Sequence, residues 1–370
     1  MRKILALLGL FTAAVPLAAQ TRAPQSAEYC GDCHREIYDG WKQSVHARAM
    51  ESRLFQDALK MAAADFGNDA RKVCLRCHSP ASALTDDLAL SRKVSWEGIT
   101  CDYCHSIREV TTTGTNPVAR VEFTGVKSGP YPDVVSPAHG TAFSNVHTTS
   151  LVCISCHEYK NSLGFPVLTT FTEWKDGPYS KAGKECQSCH MFAAKGNVVD
   201  PRVKTVADNS INLHQMPGSH SVDQLNKAIR GQMSAFRDGD HLQVTVKLTN
   251  AGAGHSVPTG SPIRQLILEV RLDPYGGGKS FREERRYART VADQKGAILD
   301  REHLAFVKAA KVVTDTRLAP KETRVETFTF ELPPGKRARL EAILRYYYSP
   351  MASTEAQQEV RFLSLSQIVQ

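Results

Sequence analysis

The ten cysteines of the chain fall without remainder into five pairs, each pair three residues apart and each followed at once by a histidine. The pentapeptides are Cys30-Gly-Asp-Cys33-His34, Cys74-Leu-Arg-Cys77-His78, Cys101-Asp-Tyr-Cys104-His105, Cys153-Ile-Ser-Cys156-His157 and Cys186-Gln-Ser-Cys189-His190. Two thiols one helical turn apart can add to the two vinyl groups of one porphyrin. The adjoining imidazole then lies beneath the iron as its proximal ligand. C-x-x-C-H is the attachment signature of c-type haem, and it predicts five covalently held haems. Zinc knuckles, disulfides and a thioredoxin-type redox pair are the alternatives. Zinc needs pairs of pairs and would leave one pair over from five. Disulfides would not require a histidine after every second cysteine.

Thirteen histidines less those five leave His46, His139, His147, His214, His220, His241, His255 and His303. A histidine as sixth ligand closes the iron and makes an electron carrier, whereas an open sixth position admits catalysis. Six of the eight are candidate distal ligands. His46 follows the first motif in Trp41-Lys-Gln-Ser44-Val45-His46-Ala47, a helical stretch whose small alanines let a porphyrin approach. His139 and His147 stand in SPAHGTAFSNVHTT, a loop in which one is expected to ligate and the other to bond a propionate. His214 and His220 flank the Pro-Gly turn of HQMPGSH. His255 sits in Gly252-Ala-Gly254-His255-Ser-Val-Pro258-Thr-Gly260, where an ordinary turn histidine is the alternative. A coordinated imidazole needs its other nitrogen paired, and carbonyls of that turn can supply the partner. His241 and His303 read as structural. The seven methionines show no pattern that would make them ligands.

The motifs begin at positions 30, 74, 101, 153 and 186. About 40 residues per haem cannot build a conventional core, so stacked porphyrins must form much of it. Short helices at 35–49 and 52–65 and a strand at 118–124 are expected, joined by long loops. After about residue 235 the texture changes, and no cysteine follows Cys189. Alternating runs at 241–248, 265–272, 324–332 and 339–348 are separated by turns at 250–254, 273–278 and 333–335. This pattern reads as an antiparallel β-sandwich, immunoglobulin-like in outline. The fold class is therefore multidomain: an N-terminal multihaem cytochrome c domain of short helices and loops, at 24–236, and a C-terminal sandwich at 237–349. A tail occupies 350–370.

Arg2 and Lys3 followed by an apolar stretch over 4–15 and small residues to Ala19 read as a cleaved signal peptide, 1–19. A short membrane anchor is the alternative. No cysteine near the cleavage site offers a lipid attachment point, and the mature chain contains no apolar run long enough to span a bilayer. The mature protein is thus expected in the periplasm or outside the cell. Residues 20–236 carry 23 basic and 22 acidic side chains, and 237–349 carry 20 and 14. The β-domain is the basic end, and ten haem propionates would make parts of the other end acidic. No basic run interleaved with aromatics occurs, which excludes a nucleic-acid partner.

The first motif with Trp41, Ser44, His46 and Ala47 resembles the start of the multihaem cytochrome c-554 family, related to hydroxylamine oxidoreductase and pentahaem nitrite reductase. Trp96-Glu-Gly98-Ile-Thr-Cys101 is similar too, as are Glu173-Trp174 before the fifth motif and Met191 after it. So are His214 and His220 around their turn and the Gly254-to-Gly260 element with its following β-domain. The resemblance covers residues 28 to about 350 in islands. It implies closely stacked haem pairs, mostly bis-histidine ligation and electron transfer; some relatives form extracellular filaments, and in the family one haem can lack a distal histidine. All five motifs end in histidine, so the C-x-x-C-K haem of the nitrite reductases is missing. Five motifs also cannot supply the eight haems of hydroxylamine oxidoreductase. The expected function is single-electron transfer between a quinol-linked donor and a periplasmic or extracellular acceptor. The rivals are a filament subunit and a reductase of a small nitrogen or sulfur oxyanion at one open iron.

Overall fold

The computed structural model describes residues 22–204, 210–351 and 358–370. The signal segment expected at 1–19 lies outside the described residues. Among them no helix is long and apolar enough to cross a membrane.

The N-terminal part is assembled mostly from short helices, and each cysteine motif lies in or at the end of a helix. Ser26 caps Ala27–Gly31, its hydroxyl accepting from the Glu28 amide, and Thr100 caps Cys101–His105 by accepting from the Tyr103 amide. The helix expected at 35–49 closes early, as Arg35–Lys42, and the chain then turns toward His46. The helix expected at 52–65 instead continues as Arg53–His78 and delivers the second motif at its end. It is broken at Gly67, whose φ of 75° lies in the left-handed region. The strand expected at 118–124 is Val118–Val121, paired with Ile107–Thr111. Only small apolar clusters hold this region together: Met50, Phe55, Leu59, Leu75 and Leu90 in one, and Ala27, Trp41 and Ala47 in another. That scarcity agrees with a core completed by something other than side chains.

The C-terminal part is two antiparallel sheets. Three strands run in the order Thr323–Glu331, His241–Asn250, Ile229–Asp238. Five run in the order Lys311–Asp315, Phe281–Ala292, Gln265–Pro274, Ala338–Tyr347, Glu359–Val369. Alternation in HLQVTVKLTN buries Leu242, Val244, Val246 and Leu248. These share one core with Leu266, Leu268, Val270 and Leu272 of the larger sheet and with Phe328 and Phe330 of the smaller.

Two expectations need correction. The segment 350–370 is not a tail, because Glu359–Val369 pairs antiparallel with Ala338–Tyr347 and places Phe362 in the core. The boundary at 236/237 falls inside the strand Ile229–Asp238, so the β-region begins earlier. Phe281–Ala292 and Glu359–Val369 escape a hydrophobic pattern for the same reason. Their charged residues are consumed in a network on the sheet, where Arg345 bonds Glu284 (2.7 Å), Glu269 (3.0 Å) and Glu359 (3.1 Å). Ile229–Asp238 escapes because its inward positions include Gly231 and Ala235, and a side chain at Gly231 would press on Leu363.

The two parts are stitched at several places. Arg289 donates to the Pro166 (2.7 Å) and Val167 (3.2 Å) carbonyls, and Asn161 donates to the Ala309 carbonyl (2.7 Å). Buried His303 donates to Asp65 at 3.1 Å. Replacing Phe362 by Ala should cost about 3 kcal/mol of stability, as for a truncated core aromatic. Denaturant unfolding of the holoprotein checks this; a change below about 0.5 kcal/mol would match a dispensable tail.

Candidate cofactor site

Within a C-x-x-C-H motif the chain makes one helical turn. The His34 amide donates to the Cys30 carbonyl at 2.9 Å, and the His190 amide to the Cys186 carbonyl at 3.0 Å. Both cysteines of a pair therefore share a face with the following imidazole. No two of the ten cysteines are joined in a disulfide, and those of all five motifs line one continuous cavity of about 2320 Å³. A pocket for one drug-sized molecule is typically about 300–1,000 Å³. The motifs also adjoin one another. Cys30 lies near Cys101, Cys77 near Cys156, and Cys153 near Cys186. Cys104 is close enough to Cys153 and Cys156 to act on both. In space, the first motif meets the third, the third meets the fourth, and the second and fifth both meet the fourth.

Two imidazoles bound through Nε2 to opposite faces of one iron, with metal–nitrogen bonds of about 2 Å, hold their ring centres roughly 6 Å apart. Four facing pairs have this separation. His34 faces His139 at 6.2 Å, His157 faces His46 at 6.2 Å, His190 faces His255 at 6.4 Å, and His105 faces His214 at 6.5 Å. The other ring nitrogen is occupied in almost every case. Nδ1 donates to the carbonyl of Val198 from His34, of Ser128 from His105 and of Pro217 from His190, at 2.6–2.7 Å. On the opposite side it donates to Gly140 from His139, Asn212 from His214 and Ser256 from His255, at 2.6–2.9 Å. His46 sets Nδ1 against the Met216 sulfur at 3.1 Å. A ring whose Nδ1–H is spent on a carbonyl keeps the Nε2 lone pair for a metal. Burial holds three of the rings neutral, lowering His46 and His214 to about 4 and His157 to about 3. The residues present fit haem c.

The remaining candidates are placed differently. His147 stacks on His105 at 5.6 Å, but its Nε2 points at the Cys104 carbonyl (2.9 Å), bracing the third motif. His220 stacks on Tyr348 at 4.3 Å. Among the described residues no histidine faces His78 at ligation distance; its ring carries Phe55 on one side, 3.8 Å away and nearly parallel. Sequence reasoning missed three residues that set up the site. Met216 and Arg264 carry no local signal. Glu173 belongs to an identified island, yet its role appears only in three dimensions.

Glu173 joins the helix Thr170–Asp176 to the His255 turn. It accepts from the Ser256 amide and the Thr259 hydroxyl, both at 3.1 Å, and pairs with Arg317 at 2.7 Å. Asn250 fixes the turn from behind by donating to the His255 carbonyl at 2.9 Å. His46 is seated by Gly98, which has a φ of 67°, and a side chain there would overlap the His46 carbonyl oxygen. The Ile99 amide donates to that same oxygen at 3.1 Å. The Trp41 indole donates to the Ile99 carbonyl at 2.8 Å.

This architecture is similar to that of multihaem c-type cytochromes. Residues 29–106 match the family described as cytochrome c554 and c-prime. Among solved structures, a penta-heme cytochrome c552 from Thermochromatium tepidum shares the fold, with a TM-score of 0.75 and 21% identity over 95% of this chain and 100% of that one. Far weaker likenesses, at a TM-score of 0.19, are to a hypothetical protein from Pyrococcus horikoshii and to a superoxide reductase. No curated protein matches the chain. Both matches agree with the resemblance read from the sequence, the first in the region of the first three attachment motifs and the second in the fold of the whole chain.

Gly98→Ala should cost more than about 1 kcal/mol, because alanine is strained at positive φ and collides with the His46 backbone. The displaced His46 should also raise the high-spin fraction of the oxidised holoprotein, read by electron paramagnetic resonance. An unchanged spectrum would detach Gly98 from the seating of His46.

Proposed function

We propose that the protein is an exported pentahaem cytochrome that passes single electrons along a chain of mostly bis-histidine haems. The observation that carries this reading is the set of four facing imidazole pairs, seven of whose eight rings have Nδ1 already hydrogen-bonded. In it His34, His78, His105, His157 and His190 are the proximal ligands. His139 closes the first haem, His214 the third, His46 the fourth and His255 the fifth. The contacts between cysteine motifs support electron passage from the first haem through the third to the fourth, with the second and fifth as branches.

Haem lies at the centre of this function, and each haem supplies one exchangeable electron when bound. The polypeptide positions the irons, orients the imidazoles and excludes water. A haem domain up to about residue 228 and an immunoglobulin-like sandwich from 229 onward fit this division of labour. Multihaem c-type cytochromes are typically periplasmic or extracellular, which supports reading 1–19 as a signal peptide. The partners are then a quinol-linked donor and a periplasmic or extracellular acceptor. A filament in which His255 ligates a neighbouring chain finds no support, since His255 already faces His190 of its own chain.

The pyridine haemochrome of the mature protein should give five haems per chain, with the mass raised accordingly. Bound zinc, or free thiols after expression in a host able to attach haem c, would overturn the reading. His255→Ala should turn one low-spin haem high-spin and make it bind carbon monoxide. It should also speed proteolysis near residue 228, because a bond across the two parts is lost. His303→Ala should leave the spin state alone. Should His255→Ala stay fully low-spin, His255 is not a ligand and the β-domain does not clamp the fifth haem.

A further inference from the structure

Of the five residues that stand just before the second cysteine of a motif, two are buried, Tyr103 in the third motif and Ser155 in the fourth, each 6% exposed. Asp32 and Ser188, in the same place in the first and fifth motifs, are exposed, and Arg76 of the second donates to the Pro117 carbonyl at 2.5 Å. The buried pair meet. The Tyr103 and Ser155 hydroxyls lie 3.4 Å apart, and the Ser155 hydroxyl lies 3.9 Å from the Cys156 sulfur. The Tyr103 backbone is held for this by the Thr100 hydroxyl, which accepts from its amide at 3.1 Å. The Cys156 thiol stands in for the thioether that haem attachment would make of it. A thioether sulfur carries no hydrogen and can only accept. Ser155 must then donate to it, which leaves the serine oxygen to accept from the Tyr103 phenol. Such a bond turns the positive end of the O–H dipole toward the sulfur and the macrocycle, and burial leaves that dipole poorly screened. It stabilises an added electron, so it raises the reduction potential.

We propose that Tyr103 and Ser155 form a hydroxyl relay onto the Cys156 sulfur that raises the potential of the fourth haem. The proposal rests on the pentahaem reading and deepens it, because the fourth motif is the one with most neighbours. Its helix, Leu151–His157, packs against the helix that ends in the second motif. Ser150, at the head of that helix, accepts from the Cys186 amide of the fifth motif at 2.9 Å. Tyr103 brings in the third. A raised potential there makes the fourth haem the place where electrons arriving from its neighbours collect.

The midpoint potentials of the holoprotein are resolved by spectropotentiometric titration, with the low-spin resonances followed in parallel. Ser155→Ala should lower one of the five potentials and leave the other four, and every low-spin signal, in place. Tyr103→Phe should lower the same potential by a smaller amount, since it removes only the outer link of the relay. Ser155→Thr keeps a hydroxyl and should restore the wild-type value, which separates the hydrogen bond from packing. Ser188→Ala, at the exposed counterpart, should shift nothing. Unchanged potentials in Ser155→Ala would overturn the proposal. So would an equal fall in Ser155→Thr, because the serine would then act by its size. Failure of the underlying reading is separately visible, as a haemochrome count below five.

Discussion

Four of the five motif histidines have a second imidazole facing them across the cavity at 6.2–6.5 Å, and much of the fold answers to that spacing. The thiols and the proximal histidine come as one local unit, a single helical turn. The facing imidazole never does. It must be carried in by another part of the chain with an error far smaller than a bond length, and its ring must be oriented by a hydrogen bond at Nδ1. The carbonyls of Gly140, Asn212 and Ser256 do this from loops. Loops alone are poor holders of position, so each is stapled. Gly98 presses against the backbone at His46, Asn250 and Glu173 fix the His255 turn, and the sheet pairing Ala193–Lys195 with Ser210–Asn212 leads directly into His214.

What is legible in the sequence follows from how local the chemistry is. The five attachment motifs are complete within five residues each, and they could be read without ambiguity. The strand His241–Asn250 was equally plain, because period-two burial is a local pattern. The distal set was legible only as a list. Nothing near His214 marks it for the motif of His105, and nothing near His139 marks it for that of His34. Those matches are made by tertiary packing. The pair His139 and His147 shows the limit well. Both stand in one polar loop, yet one faces an imidazole while the other turns Nε2 to a carbonyl. The strands Phe281–Ala292 and Glu359–Val369 were hidden for a related reason. Their arginines and glutamates find partners on neighbouring strands, so charge replaces hydrophobic alternation as the signal of pairing.

The β-domain is best understood through its short turn from Gly252 to Arg264. Turns of this sort are usually surface features, but this one is pinned on both sides. Gly252 has no room for a side chain against the Lys227 carbonyl, and Gly254 lies against Trp174 and Tyr179 of the haem region. The turn is therefore pressed into the cavity and projects two side chains of opposite character. His255, neutral through burial, faces the fifth motif. Arg264, cationic, lines the same cavity and donates to the Thr259 carbonyl at 3.3 Å.

His255 gives a reason for a cysteine-motif region to carry a sandwich. A haem region with so few apolar side chains cannot wall off every iron by itself, and short helices are already spent on the proximal side. A rigid sheet edge supplies a fixed platform from which one loop can reach into the cavity of the cysteine motifs. At the fifth motif it sets the His255 ring opposite His190, where a second imidazole would close an iron and favour plain electron transfer. Any motion that shifts Glu173 against Ser256 must disturb that pairing, so the loop ties the β-domain to a motif that lies far from it in sequence.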